Sequence, residues 1–320
     1  MKQRDWLRLT ARFGTIGFLV LLVAVFSASR WEVFPTLLNF LNILNQSAIL
    51  GVISVGLTVC LVMGLFDLSI AAMATLGGYL VVRFLVAQGE SPYVALSILG
   101  VLAGASAIGV VNGILVSYLG ISAFIATLAM GSVITGVILG YSESRTIVTG
   151  IPDAFSVLGQ GSNAGVPNAV LVMLVVAFVL WLLLEHTQAG RNLYAIGGNA
   201  EASRLSGIAV KRYGLLALGI SGACAGLAGI MAAASLGAGR PQGVGDTYLL
   251  NAFAAVFIGA STLRPGQFHI LGTIIGVLLI GVINNGLSIL GAQTYWQYIV
   301  QGLLLMVAMF GAGVISLRRH

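Results

Sequence analysis

Apolar runs follow one another through almost the whole chain, and they limit its fold more than any other feature. A run of about 18 or more apolar residues is long enough to cross a bilayer as a helix. Candidate segments are 13–29, 36–65, 68–89, 93–118, 121–141, 166–185, 213–237, 249–262, 268–290 and 295–316. Segment 249–262 is short for a crossing and 36–65 is long. With 58% hydrophobic and only 8% charged residues, and a mean hydropathy of +1.04, a soluble domain is excluded. The expectation is an all-α membrane protein of about ten transmembrane helices, a single domain over residues 1–320.

The basic residues orient these crossings. Counted from a cytoplasmic start, Lys2, Arg4, Arg8, Arg12, Arg191, Arg204, Lys211, Arg212, Arg264, Arg318 and Arg319 fall inside. Only Arg30, Arg83, Arg145 and Arg240 fall outside. An even number of crossings keeps this asymmetry and places both termini in the cytoplasm. The net charge of +6 is then an orientation signal. No basic stripe interleaved with aromatics marks a nucleic-acid partner. Lys2 begins a basic stretch followed by an apolar run, with Ser27-Ala28-Ser29 resembling a cleavage site. The run exceeds a signal peptide's usual core of about 7–15 residues, so an uncleaved first span is expected.

Chemistry-bearing motifs are few. Cys60 and Cys224 both lie in apolar segments and read as packed thiols. Neither lysine, Lys2 nor Lys211, follows a glycine, so this chain cannot supply a Walker A lysine. Any ATP is hydrolysed on another polypeptide. His186, His269 and His320 fall at span ends, where interfacial solvation accounts for them.

Residues 98–112 and 270–284 agree at eight of fifteen positions without a gap, including Gly100/Gly272, Gly104/Gly276, Gly109/Gly281 and Asn112/Asn284. In the ten-span count these segments run in opposite directions, the arrangement of an inverted repeat with a pathway at its interface. The glycines also make a smooth face for close helix packing. Asn112 and Asn284 are amides in hydrocarbon, costly unless bonded, and each can either glue two helices or touch a solute.

Asp67 is the one carboxylate in continuous apolar sequence. It reads as a cap or hinge between the second and third spans, or as a contact for a solute or ion. Asn39, Asn42 and Gln46 share one helix face by their spacing, beside Asn45 and Ser47. That stripe can meet a hydroxylated solute, bind helices together, or lie solvated outside the bilayer. Gln293, Gln297 and Gln301 read the same way.

The longest polar interruption is the loop 187–211. Inside it, Asn199 can cap a helix from Ala200 to Ser206 that Gly207 ends, with Glu201 in its first turn and Arg204 in its last. Ala202 and Leu205 form a small apolar face. A lone two-turn helix is marginal in water, and docking on another protein would supply the missing packing.

These residues resemble the permease subunits of ATP-binding-cassette importers of the ribose type, a group that also carries other monosaccharides and the sugar-like autoinducer-2. The family pattern is met by Gly190, Arg191, Tyr194, Ala195, Gly197, Gly198, Asn199, Ala202, Arg204, Leu205, Ser206, Gly207 and Ile208. Asn42, Ile43, Leu44 and Gln46, the run Asp67-Leu68-Ser69, and Gly272, Thr273, Gly276, Asn285 and Gly286 extend the likeness along the chain. The stretches 63–72 and 259–268 depart from the pattern.

The resemblance implies a multi-pass protein of the bacterial inner membrane that binds no cofactor itself. It implies a second permease, identical or different, a periplasmic solute-binding protein, and two cytoplasmic ATPase subunits using ATP-Mg. It also implies that the 187–211 helix couples the ATPases to the permease pair, and that this subunit is not itself an enzyme. The pathway candidates are Asn39, Asn42, Gln46, Asp67, Asn112, Asn284 and Asn285. The rival reading is an ATP-independent facilitator or channel built on the repeat, which leaves the 187–211 loop without a role.

Overall fold

The computed structural model describes the backbone of residues 2–88 and 93–317, and the side chains of 12–88 and 93–306. The C-terminal Arg318, Arg319 and His320, and the side chains of Lys2, Arg4 and Arg8, lie outside the described residues. Thirteen helices run in order: α1 (Lys2–Ser29), α2 (Leu37–Val62), α3 (Ile70–Gln88), α4 (Val94–Ser117), α5 (Ala123–Ser142), α6 (Asp153–Gln160), α7 (Asn168–His186), α8 (Gln188–Gly198), α9 (Ala200–Leu205), α10 (Val210–Leu236), α11 (Asp246–Ala260), α12 (Ile270–Ile289) and α13 (Thr294–Leu317). Among the described residues, eight helices are long and apolar enough to cross a membrane, and α11 is a shorter apolar helix. Among the described residues the all-α expectation holds, with one short two-stranded hairpin, Ser162–Asn163 with Val166–Pro167, in a connection.

Helix α2 is the axis of the molecule. Of its most apolar stretch 83% is buried, against 6% for α1 at the periphery. Helices α10, α12 and α7 pack around it, and α3 and α4 pack on α10. Small residues make this density possible. Gly56 lies against Cys224, Gly109 against the Leu218 carbonyl, and Gly276 against the Ala255 carbonyl, so a side chain at any of the three would collide. The outer faces of α4, α5 and α7 stay apolar and exposed, as lipid contact requires.

The contacts also fix directions. Gly56 meets Cys224 while Cys60 donates to the Ala217 carbonyl at 3.2 Å, so α2 and α10 are antiparallel. Ser47 meets Gly281 and Thr58 meets Thr273 at 2.7 Å, so α2 and α12 are antiparallel too. Gly109 and Gly113 meet Leu218 and Leu215 in turn, which makes α4 antiparallel to α10. Helices α4 and α12 therefore run in opposite directions.

Their matched glycines are used differently. Gly272 and Gly276 press on α11, whereas Gly100 and Gly104 meet nothing.

The loops sort to two ends. At one end Ile147 bridges Gly239, and Gln160 donates to the Ala234 and Ser235 carbonyls. At the other, the Arg12 carbonyl accepts from Leu263, Arg264 pairs with Glu185, and Lys211 lies over the Tyr118 ring. The 187–211 segment is at this second end.

Candidate functional site: a helical elbow and a buried polar interior

At the end of α7 the chain turns without a gap into α8, which the sequence reading treats as loop. Thr187 caps α8 by accepting from the Gly190 amide at 3.2 Å. Gly190 sits under the Leu183 and Leu184 carbonyls, and Gly197 rests on the Val62 carbonyl at the end of α2. No larger residue fits at either place, so glycine's poor helix propensity is offset by backbone contact. Gly198 by contrast faces open space.

Asn199 then ends α8 and caps α9, its Oδ1 accepting from the Ala202 amide at 2.9 Å. Gly207, at φ 84°, closes the following turn in a conformation that glycine adopts freely. The cap and stop agree with the sequence, although α9 ends at Leu205 rather than Ser206.

Only Ser203 of α9 turns inward. Arg191, Glu201, Ala202, Arg204, Leu205 and Ser206 are exposed, and Leu205 at 78% shows more of itself than any other large apolar residue described. Arg204 pairs with Glu201 at 2.6 Å, an exposed pair worth little in stability.

The elbow is anchored at several points. Tyr194 donates to the Phe268 carbonyl at 3.0 Å, and burial pushes its phenol up to about 12. Asn192 donates to Tyr213 at 2.6 Å.

His269 is buried rather than solvated, which corrects the interfacial expectation. Its Nδ1 lies 3.0 Å from the Gln267 carbonyl, and burial lowers its pKa.

Between α2 and α3 the chain is not helical and turns back into the protein, where buried irregular backbone finds its partners internally. Asp67 Oδ1 accepts from both the amide and the hydroxyl of Ser69, whose carbonyl receives the first bond of α3. Asn112 donates to Ser69 Oγ at 3.0 Å, and Thr127 accepts from the Leu68 amide at 3.0 Å. Ser221 and Cys60 lie beside the carboxyl group. Asp67 thus caps α3 through Ser69, while its Oδ2 and Asn112 Oδ1 find no partner. Thr127 and Ser221, ordinary in sequence, are the members that the sequence reading missed.

The amides proposed as one stripe divide. Asn39 is buried, donating to the Phe34 carbonyl and accepting from Asn285 at 3.0 Å. Asn42 and Gln46 are exposed. Asn284, half-buried, accepts from Gln301 at 3.0 Å, so Asn112 and Asn284 have unlike surroundings despite matched positions. Gln46, Ser47, Tyr248, Asn251, Gly281 and Asn284 line a small notch between α2, α11 and α12. Ser47 Oγ and Asn251 Oδ1 there are buried without a partner. Tyr248 and Asn251 carry no sequence signal beyond an isolated amide and hydroxyl in an apolar segment. Among the described residues no cluster of histidine, cysteine or acidic groups could hold a metal.

A family profile described as the permease component of branched-chain amino acid transport systems matches residues 39–309. The chain belongs to this permease family. The D-allose transport system permease of Escherichia coli K12 is 38% identical over 93% of this chain and 90% of its own length. The ribose import permease of the same strain is 36% identical over 91% and 90%, and that of Bacillus subtilis 168 is 38% identical over 92% and 90%. No solved structure matches the chain. As a member of the permease family, the chain is the transmembrane permease subunit of an ATP-binding-cassette importer, a multi-pass protein of the bacterial inner membrane.

Proposed function

We propose that this permease moves a monosaccharide inward by alternating access, powered by ATP-Mg hydrolysis on separate ATPase subunits that dock on α9. The observation that carries the coupling part is Leu205, an exposed leucine at the end of a capped helix that follows directly on α8, whose Gly197 rests on the end of α2. An apolar side chain so placed gains by entering a partner's groove, about 1.5–3 kcal/mol for full burial of a leucine. The sugar is suggested by the relatives, whose names specify D-allose and ribose.

Ten crossings with both termini in the cytoplasm fit the gathering of Arg12, Arg191, Lys211 and Arg264 at the α9 end. The opposite directions of α4 and α12 agree with an inverted repeat. Asn42 and Gln46 are exposed on a membrane helix, an unfavourable contact with lipid, so that face suits a second permease across a polar pathway. Asn284, Asn251 and Tyr248 continue it. Asp67, Asn112, Asn39 and Asn285 hold the surrounding helices in place. A periplasmic solute-binding protein would deliver the sugar to the opposite end.

The test is accumulation of radiolabelled ribose or allose in proteoliposomes. Uptake against a gradient that needs ATP, the ATPase and the binding protein supports the importer. Equilibration through the permease alone overturns it in favour of a facilitator.

A further inference from the structure

The segment between α11 and α12 departs from the family-like pattern, and the structure ties it to three other elements. Arg264 Nη1 donates to both carboxylate oxygens of Glu185, at 2.7 and 2.8 Å, joining the segment to the end of α7. Glu185 is only 16% exposed against 49% for Arg264, so the carboxylate is held in place and the guanidinium closes over it. The Phe268 carbonyl accepts from Tyr194 on α8. The Arg12 carbonyl on α1 accepts from the Leu263 amide and the Thr262 hydroxyl. Leu263 is held at φ 55°, a left-handed conformation that leucine adopts only when its surroundings impose it.

The same segment reaches into the bundle. The Phe268 ring meets Phe257 of α11 edge-on, with centroids 5.3 Å apart. The His269 carbonyl accepts from Thr273, whose hydroxyl also bonds Thr58 of α2. Gly259 and Gly272 touch backbone to backbone, so α11 and α12 cannot slide there independently.

We propose that residues 261–269 form a clamp that transmits displacement of the α8–α9 elbow to α11 and α12, with Arg264 and Tyr194 as its positioning residues. This rests on the importer reading and adds a route from the docking helix to the helices that carry Asn251 and Asn284. Phe268 is the junction, because its carbonyl is held by the elbow and its ring by α11. A rigid segment with a partner at each end passes movement on, whereas a solvated loop would absorb it.

The experiment measures ribose imported per ATP hydrolysed, in proteoliposomes with the cognate ATPase and binding protein. Tyr194→Phe removes one hydroxyl and preserves shape, and Arg264→Glu reverses one charge. Each is expected to lower the import-to-hydrolysis ratio by about fivefold or more while the ATPase still binds. The swap Glu185→Arg/Arg264→Glu is expected to restore at least about half of the ratio. A merely structural role would lower uptake and hydrolysis together. Unchanged ratios in Tyr194→Phe and Arg264→Glu, with a wild-type permease that stimulates its ATPase, overturn the clamp alone. A wild-type permease that stimulates no ATPase overturns the importer reading itself. Should Arg264→Glu not fold, Tyr194→Phe decides by the same criterion.

Discussion

Gly197 rests on the carbonyl of Val62, so the elbow and the innermost helix touch backbone to backbone. Whatever moves α8 must therefore push on the end of α2 or leave it. Gly197→Ala places a methyl group where the carbonyl lies and should cost about 1–3 kcal/mol by forcing the two helices apart. Gly198→Ala meets open space and should be neutral or slightly stabilising. Thermal unfolding in detergent distinguishes them, and equal losses at both positions would refute the contact.

Asp67 separates a capping role from a contact role. Its Oδ1 accepts the Ser69 bonds, a function that asparagine can perform and leucine cannot. Asp67→Asn should keep most stability and transport, while Asp67→Leu should lose about 1–3 kcal/mol by leaving the Ser69 groups unpaired. Stability is read by thermal unfolding and transport by ribose uptake. Loss of transport in a stable Asp67→Asn protein would show that the charge itself is needed.

Much of this was legible in the sequence. Each apolar segment became a helix because nothing else satisfies a backbone out of water, and the Asn199 cap and the Gly207 stop stand where local chemistry put them. Helix α8 was not legible. Gly190 and Gly197 read as loop, and the contacts that fold them into a helix come from Leu184 and Val62. The surroundings of Asp67 were equally hidden, since Asn112 reaches Ser69, Thr127 reaches the Leu68 amide and Ser221 lies beside the carboxyl group only through packing of α4, α5 and α10. The Asn112/Asn284 match left their surroundings open for a related reason. Identical positions in two helices do not share neighbours, and neighbours decide whether an amide bonds Ser69 or faces a notch.

The hydrogen bond that the Asn285 amide donates to Asn39 Oδ1 joins α2 to α12, and its removal is testable by a double-mutant cycle. Asn39→Leu or Asn285→Leu alone should cost about 1–2 kcal/mol, because each leaves a buried amide without its partner. The double change should cost less than the sum, as measured by unfolding midpoints. Strict additivity would mean that the two amides do not interact.

His269 gives the clamp a pH dependence. Burial lowers its pKa from the usual 6.5, opposed by its bond to the Gln267 carbonyl and by Glu185, and helped by Arg264. A group with a depressed folded-state value contributes stability above its unfolded value, and that stability is lost as pH falls through the folded one. Stability should therefore hold above about pH 6.5 and decline below it, and His269→Gln should flatten that decline. The measurement is the unfolding midpoint between roughly pH 8 and pH 5. The same slope in both proteins would assign the dependence elsewhere.

Docking through α9 is tested by ATP hydrolysis by the cognate ATPase in proteoliposomes, with wild-type permease and with Leu205→Asp/Arg204→Glu. The substitutions lie on the exposed face of α9 and should leave the unfolding midpoint unchanged. Wild-type permease is expected to stimulate hydrolysis, and the variant to lose that stimulation by about tenfold or more. A folded variant that stimulates hydrolysis as well as wild type would contradict docking through α9.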